Sequence, residues 1–149
     1  VCSTEESGAI VDAVAEALEW TWRESAESAP RRMRHDDILV VAPYNAQVQQ
    51  IRHDLEQAGF DGVRVGTVDK FQGQQAAVVL VSMTASSRDD VPRGMEFLLS
   101  PNRLNVAISR GQWQATIVYS PGLTDYLPAK PEELAQLGRF LRLVADTPA

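Results

Sequence analysis

Asn105-Val-Ala-Ile-Ser-Arg110, and before it Val65-Gly-Thr-Val-Asp-Lys-Phe-Gln-Gly-Gln74, are the most informative stretches of this chain. The first reads as a helix that presents an arginine. The second reads as the end of a short strand, Val63-Arg-Val65, running into a glycine-containing turn. Working outward, Ile38-Leu-Val-Val-Ala42 is a continuous apolar run, as expected of a strand covered on both faces, and Pro43 closes it. Val48, Ile51 and Leu55 recur at helical spacing, with Gly59 at the end of that helix. Ala76-Ala-Val-Val-Leu-Val-Ser-Met83 and Ala115-Thr-Ile-Val-Tyr119 are two further strands. Ser100-Pro101 suits an N-cap followed by proline in the first helical position.

The flanks extend the pattern. Ser3-x-x-Glu6 has the form of a capping box. Ile10, Val11, Val14, Leu18 and Trp22 then continue one helical stripe that should end before Pro30. Residues 24–36 read as a polar connector, with Arg31, Arg32 and Arg34 solvated. Ser86 to Arg93 reads as a charged loop. A last helix begins at Pro131, with Glu132 and Glu133 in its first turn and Arg139 and Arg142 toward its end, which suits the helix dipole. Strands alternating with helices predict an α/β domain with a mainly parallel sheet and helices on both faces. Ligands of such sheets bind where the strands deliver their C-terminal ends, and Tyr44, the Thr67–Gln75 segment and Arg110 are expected there.

Composition narrows the function classes. With 149 residues, 44% apolar and 23% charged, the chain suits one soluble domain with a core. It has no apolar run long enough to span a membrane. Its start has neither the basic nor the apolar region of a signal peptide. Cys2 alone allows no internal disulfide or multi-cysteine metal site, and fits a reducing cytoplasm. A net charge of −6 argues against a purely electrostatic nucleic-acid binder, while leaving room for a local basic groove.

Three ordered segments resemble motifs of superfamily-one helicases, in the second of their two RecA-like domains. They are Pro43-Tyr-Asn-Ala-Gln47, Thr67-Val-Asp-Lys-Phe-Gln-Gly-Gln-Gln75 and Asn105-Val-Ala-Ile-Ser-Arg110. The run from Arg93 to Arg110 is also similar to the C-terminal end of bacterial proteins that fuse a RecB-like nuclease to such a helicase. The resemblance implies a RecA-like three-layer fold. It also implies that residues 1–149 are one C-terminal helicase domain of a longer protein. The implied ligands are ATP and Mg2+, held mainly by an N-terminal RecA-like domain that this chain lacks, and single-stranded nucleic acid, DNA by the fusion resemblance.

The same resemblance assigns roles. Arg110 would be the arginine finger that meets the γ-phosphate. Tyr44 would stack beside the adenine, with Gln47 helping to hold that site. Gly73 would let the backbone pass close to the nucleotide, and Gln75 would contact the ribose. Thr67 would touch a nucleic-acid phosphate. Relatives usually carry glutamate where Gln75 stands, arginine where Gln74 stands and alanine where Gly111 stands. Glutamine keeps an acceptor but has no charge.

Each residue also has a purely structural reading. Arg110, with Arg103 on the same helical face, would pair with surface carboxylates. Tyr44 would plug the sheet end, Gly73 would serve a turn, and Thr67 or Asp69 would cap a short helix. Trp20, Trp22 and Trp113 suit packing, and His35 and His53 lack metal-ligand spacing. No Gly-x-x-x-x-Gly-Lys-[Ser/Thr] occurs, and neither Lys70 nor Lys130 follows a glycine, so the chain cannot build a phosphate cradle alone. No Glu-x-Lys accompanies Asp36-Asp37 or Asp89-Asp90, which argues against a metal-dependent nuclease here. A RecA-like module that binds protein or nucleic acid without an ATP cycle is the alternative reading.

Overall fold

The computed structural model describes residues 2–84, 98–125, 128 and 130–145. Helix α1 (Thr4–Ala17) leads into a small antiparallel hairpin, β1 (Thr21–Trp22) and β2 (Arg31–Arg32). Then follow β3 (Ile38–Val41), α2 (Asn45–Gln57), β4 (Arg64–Gly66) and β5 (Ala76–Ser82). Helix α3 (Pro101–Ile108), β6 (Gly111–Val118) and α4 (Pro131–Ala145) complete the order. The charged loop expected over Ser86 to Arg93, and the start of the Arg93–Arg110 run, lie outside the described residues.

The strands β4-β3-β5-β6 form one parallel sheet, in that order. Side chains alternate across its faces, as pleating requires. Leu39, Val41, Val79 and Val81 enter a core with Leu104 and Ala107 of α3 and Leu137 and Phe140 of α4. Ile38, Val40, Val78 and Leu80 enter the opposite core with Ile10 and Val14 of α1 and Ile51 and Leu55 of α2. Helices thus cover both faces, the three-layer α/β arrangement expected of a RecA-like domain. A register irregularity between Ala76 and Val78 interrupts the alternation, and the adjacent residues Ala77 and Val78 both enter the second core.

The hairpin corrects two expectations. Trp22 is not on the first helix, which ends at Ala17. It pairs with Arg31, is buried against Met33, and lies 5.3 Å from the Arg31 guanidinium. The stretch 24–36 is therefore not only a solvated connector. Arg31 donates from both terminal nitrogens to Asp37, at 2.7 and 2.8 Å. Burial pushes the Asp37 carboxyl up, but hydrogen bonds from Arg31 and the Arg34 amide outweigh it and hold it below the ordinary value. Tryptophan and threonine favour strands, and a local partner was available in Arg31-Arg32.

The N-terminus of α1 is held by a buried polar network. Ser3 caps the helix by accepting from Glu6 N–H at 3.2 Å. The reciprocal half of a capping box does not form, because the Ser3 N–H donates to Gln47 Oε1 at 2.7 Å. Gln47 Nε2 in turn donates to Ser3 O at 3.0 Å and to Ser82 Oγ at 3.3 Å. The Glu6 carboxyl turns inward, where its Oε2 accepts from Ser82 Oγ and Thr84 N–H, both at 2.7 Å. Glu6, Gln47, Ser82 and Thr84 are all buried.

Burial pushes the Glu6 carboxyl above its ordinary value of 4.5, against smaller lowering by Ser82, Thr84, Met83 and Ser120, none of which is a cation. The folded state therefore binds the Glu6 proton more tightly than the unfolded chain does. Its contribution to stability is complete below pH 4.5 and is lost as pH rises through the raised folded value. Glu6→Gln should flatten this part of the stability profile, which urea unfolding at stepped pH will measure.

Candidate nucleotide and nucleic-acid site

The crossover from β4 to β5, residues 67–75, contains only one short helical turn, Asp69–Phe71. Gly66 lets it fold back tightly: a Cβ there would stand 2.9 Å from the Phe71 ring and 2.7 Å from Lys70 Cδ. Phe71 is buried in the core beneath α3. Gly73 has φ 79°, a left-handed conformation that favours glycine, with open space around its missing side chain. The turn has no side-chain cap, and Lys70 N–H bonds the Thr67 carbonyl, so capping does not account for the Thr67 hydroxyl.

Helix α3 packs beside this crossover. A groove between them is lined by Asp69, Gln72, Asn102, Arg103 and Arg110, with Val68 and Val106 as its apolar wall. A second recess, largely apolar, reaches from Pro43 and Thr67 to Arg103 and the end of β5. Arg103 borders both. Asp69 is the carboxylate lining the first groove, and among the described residues Arg110 forms no ion pair with it.

Arg110 itself differs from expectation in two respects. It is not within the helix, which ends at Ile108, but in the turn before β6, its N–H donating to Ala107 O at 3.2 Å. Nor does it stand where the strands end. Ala76 N–H donates to Arg110 O at 2.9 Å, which places its backbone where β5 and β6 begin. Gln75 lies at this same edge, and its Oε1 accepts from Gln112 Nε2 at 3.3 Å. Tyr44 and Thr67 lie at the opposite edge, just past β3 and β4. The groove along α3 runs between the two edges. The strand-end rule treats each motif as following a strand, whereas Gln75 and Arg110 each precede one.

Arg110 is half-buried, and its Nε is buried with no hydrogen-bond acceptor. Among the described residues it makes no ion pair. Tyr44 is half-buried against the α3 core and occupies the N-cap position of α2. Gln47 is fully buried, with its amide taken up by Ser3 and Ser82, so the structure does not bring it to a surface with the others. Gln74 is tied by Arg64 to β4 at 3.2 Å. Among the described residues no group of three or more His, Cys, Asp or Glu could hold a metal ion. No helix among them is long and apolar enough to cross a membrane.

Arg103 was the residue that sequence reasoning under-weighted. Its shared helical face with Arg110 was visible, and the groove shows what that face borders. Gly111, where relatives usually carry alanine, sits against the backbone. A Cβ there would stand 2.7 Å from the Gln114 carbonyl oxygen, a backbone atom that cannot swing aside. Gly111→Ala should lower stability by about 1–3 kcal/mol and disturb the turn that carries Arg110. Denaturant unfolding and the Arg110 amide shift would register both.

With this geometry in place, comparison with known proteins gives a consistent result. The profile of the AAA domain family matches residues 2–121. The chain is 47% identical over 74 residues to a DNA polymerase alpha-associated DNA helicase A of Schizosaccharomyces pombe, covering 50% of this chain and 11% of that protein. It is 36% identical over 114 residues to the human DNA replication ATP-dependent helicase/nuclease DNA2, covering 76% of this chain and 10% of that one. It is 33% identical over 99 residues to the mouse RNA helicase Mov10l1, covering 64% and 8%. The chain thus spans about a tenth of the length of these relatives. It belongs to the AAA domain family and is related there to superfamily-one helicases.

Proposed function

We propose that this chain is the second motor domain of an ATP-dependent helicase and supplies one wall of a nucleotide site shared with another RecA-like domain. The observation that carries this reading is the groove along α3. Arg103 and Arg110 both line it, with no carboxylate among the described residues paired to Arg110 and its Nε without an acceptor. A planar guanidinium with open donors suits the spread charge of a phosphoryl group better than an ammonium does. The chain has no phosphate loop, so the remaining contacts to ATP must come from elsewhere in the protein.

In this reading Arg110 is the finger and Gln75, beside it at the same edge, contacts the ribose. Gly73 keeps the crossover open to close approach. Tyr44 stacks beside the base, with Gln47 acting from beneath by fixing the first turn of α2. Thr67 bonds a phosphate of the single strand. Mg2+ would supply charge neutralisation on ATP, and its ligands would lie in the other domain. The strand bound is DNA in this proposal, as the names of two of the three relatives suggest, and an upstream nuclease, as in a RecB-like fusion, belongs to it too. Binding and hydrolysis would alternately close and open the two domains, giving steps along the strand.

Phosphoryl transfer needs mainly positioning and charge stabilisation. In the intact protein, Arg110→Ala should therefore lower ATP turnover on the order of 10³–10⁵-fold with a much smaller loss of ATP affinity. Arg110→Lys should recover little. Turnover that survives either change refutes the finger. The chain alone should hydrolyse no ATP above buffer, with or without single-stranded DNA.

The chain alone should also bind single strands weakly. A few phosphate contacts on an acidic protein give an affinity that falls as salt rises. Fluorescence anisotropy with labelled DNA and RNA of one sequence, across a salt series, tests this. Tight binding insensitive to salt, or binding unchanged by Thr67→Ala, contradicts the assignment.

A further inference from the structure

Thr84 has φ 75°, the left-handed region, and is the only described non-glycine residue there. A β-branched side chain disfavours that conformation strongly, so something must hold it. Thr84 stands two residues past the end of β5; Val81 and Ser82 of that strand and Met83 after it line the recess that Arg103 borders. Its amide hydrogen bond, 2.7 Å long, runs to the buried Glu6 carboxylate. The same oxygen takes the Ser82 hydroxyl. Glu6 Oε1 is buried without a partner, as is Thr84 Oγ1, so the carboxyl is not placed there to satisfy itself.

We propose that Glu6 is a positioning residue for the nucleotide groove, a latch that holds the Thr84 turn and the end of β5 through Oε2. The network reaches Gln47 by way of Ser82, and Gln47 lies in the first turn of α2, which Tyr44 caps. One carboxyl on α1 therefore sets the β5 edge of the recess and braces the start of α2. The catalytic part of this inference rests on the function proposed above, and the structural part stands without it.

Three variants separate the possibilities. Glu6→Met fills the same volume and removes the acceptor. Glu6→Gln keeps an acceptor oxygen for both donors. Thr84→Gly adopts the left-handed turn without help. Amide hydrogen exchange on the 149-residue chain reads the latch directly. Thr84 N–H should exchange slowly in wild type and Glu6→Gln, and roughly tenfold faster or more in Glu6→Met.

In the intact protein, Glu6→Met should lower kcat for ATP roughly tenfold to a hundredfold at unchanged KM, the scale expected of a small misplacement in the site. Glu6→Gln should stay near wild type. Adding Thr84→Gly to Glu6→Met should restore most of the loss, which a general packing defect would not allow. Equal Thr84 exchange in wild type and Glu6→Met, or no recovery in the double variant, overturns the proposal. If Glu6→Met does not fold, recovery of folded protein by Thr84→Gly decides the question in the same sense. An intact protein without ATP turnover overturns the functional reading alone, because the exchange comparison judges the latch independently.

Discussion

Strand β5 is the constraint on which the other elements depend. All seven of its residues are buried, and it is hydrogen-bonded to β3 on one side and β6 on the other. Its side chains feed both cores, so neither helical layer can settle until β5 is in register. A slip of one residue would exchange the two sets of side chains, and shortening a buried aliphatic there would cost about 2–5 kcal/mol. Both ends of this strand are also chemically loaded. Gln75 and the Arg110 backbone meet at its start; Ser82 and Thr84 meet the Glu6 carboxyl at its close. The packing that fixes β5 therefore fixes the distance across which the α3 groove runs.

The sheet and its helices were largely legible because their signals are local and redundant. Continuous apolar runs marked β3 and β5, and the spacing of Val48, Ile51 and Leu55 marked α2, with Gly59 at its end in a left-handed conformation. The hairpin was missed for a physical reason. Leu18 and Trp22 sit at helical spacing from Val14, and nothing local announces that Trp22 will prefer a strand partner nine residues on. The site was legible as a set of motifs but not as an arrangement. Spacing suggested that Arg103 and Arg110 share a face, yet whether a residue precedes or follows a strand decides which edge it occupies. Gln75 and Arg110 both precede one. Nothing in the pattern could show that Gln47 spends its amide on Ser3 and Ser82, because those bonds span 44 and 35 residues.

The acidic net charge and the proposed phosphate contact are compatible once range is considered. Charges beyond about 8–10 Å are screened at moderate ionic strength, so the groove answers to its own lining rather than to the total of −6. That lining holds Arg103, Arg110 and one carboxylate, Asp69. A guanidinium already locked to Asp69 would have to break that pair before meeting a phosphate. The geometry avoids this cost: Arg110 is held by its backbone, through Ala76 and Ala107, while its side chain has no ionic partner among the described residues. A buried Nε with no acceptor is unfavourable in the isolated domain, by about 1–3 kcal/mol for a typical buried donor. The penalty is relieved only when an acceptor arrives. In the proposed function a phosphate held by the other RecA-like domain would supply that acceptor.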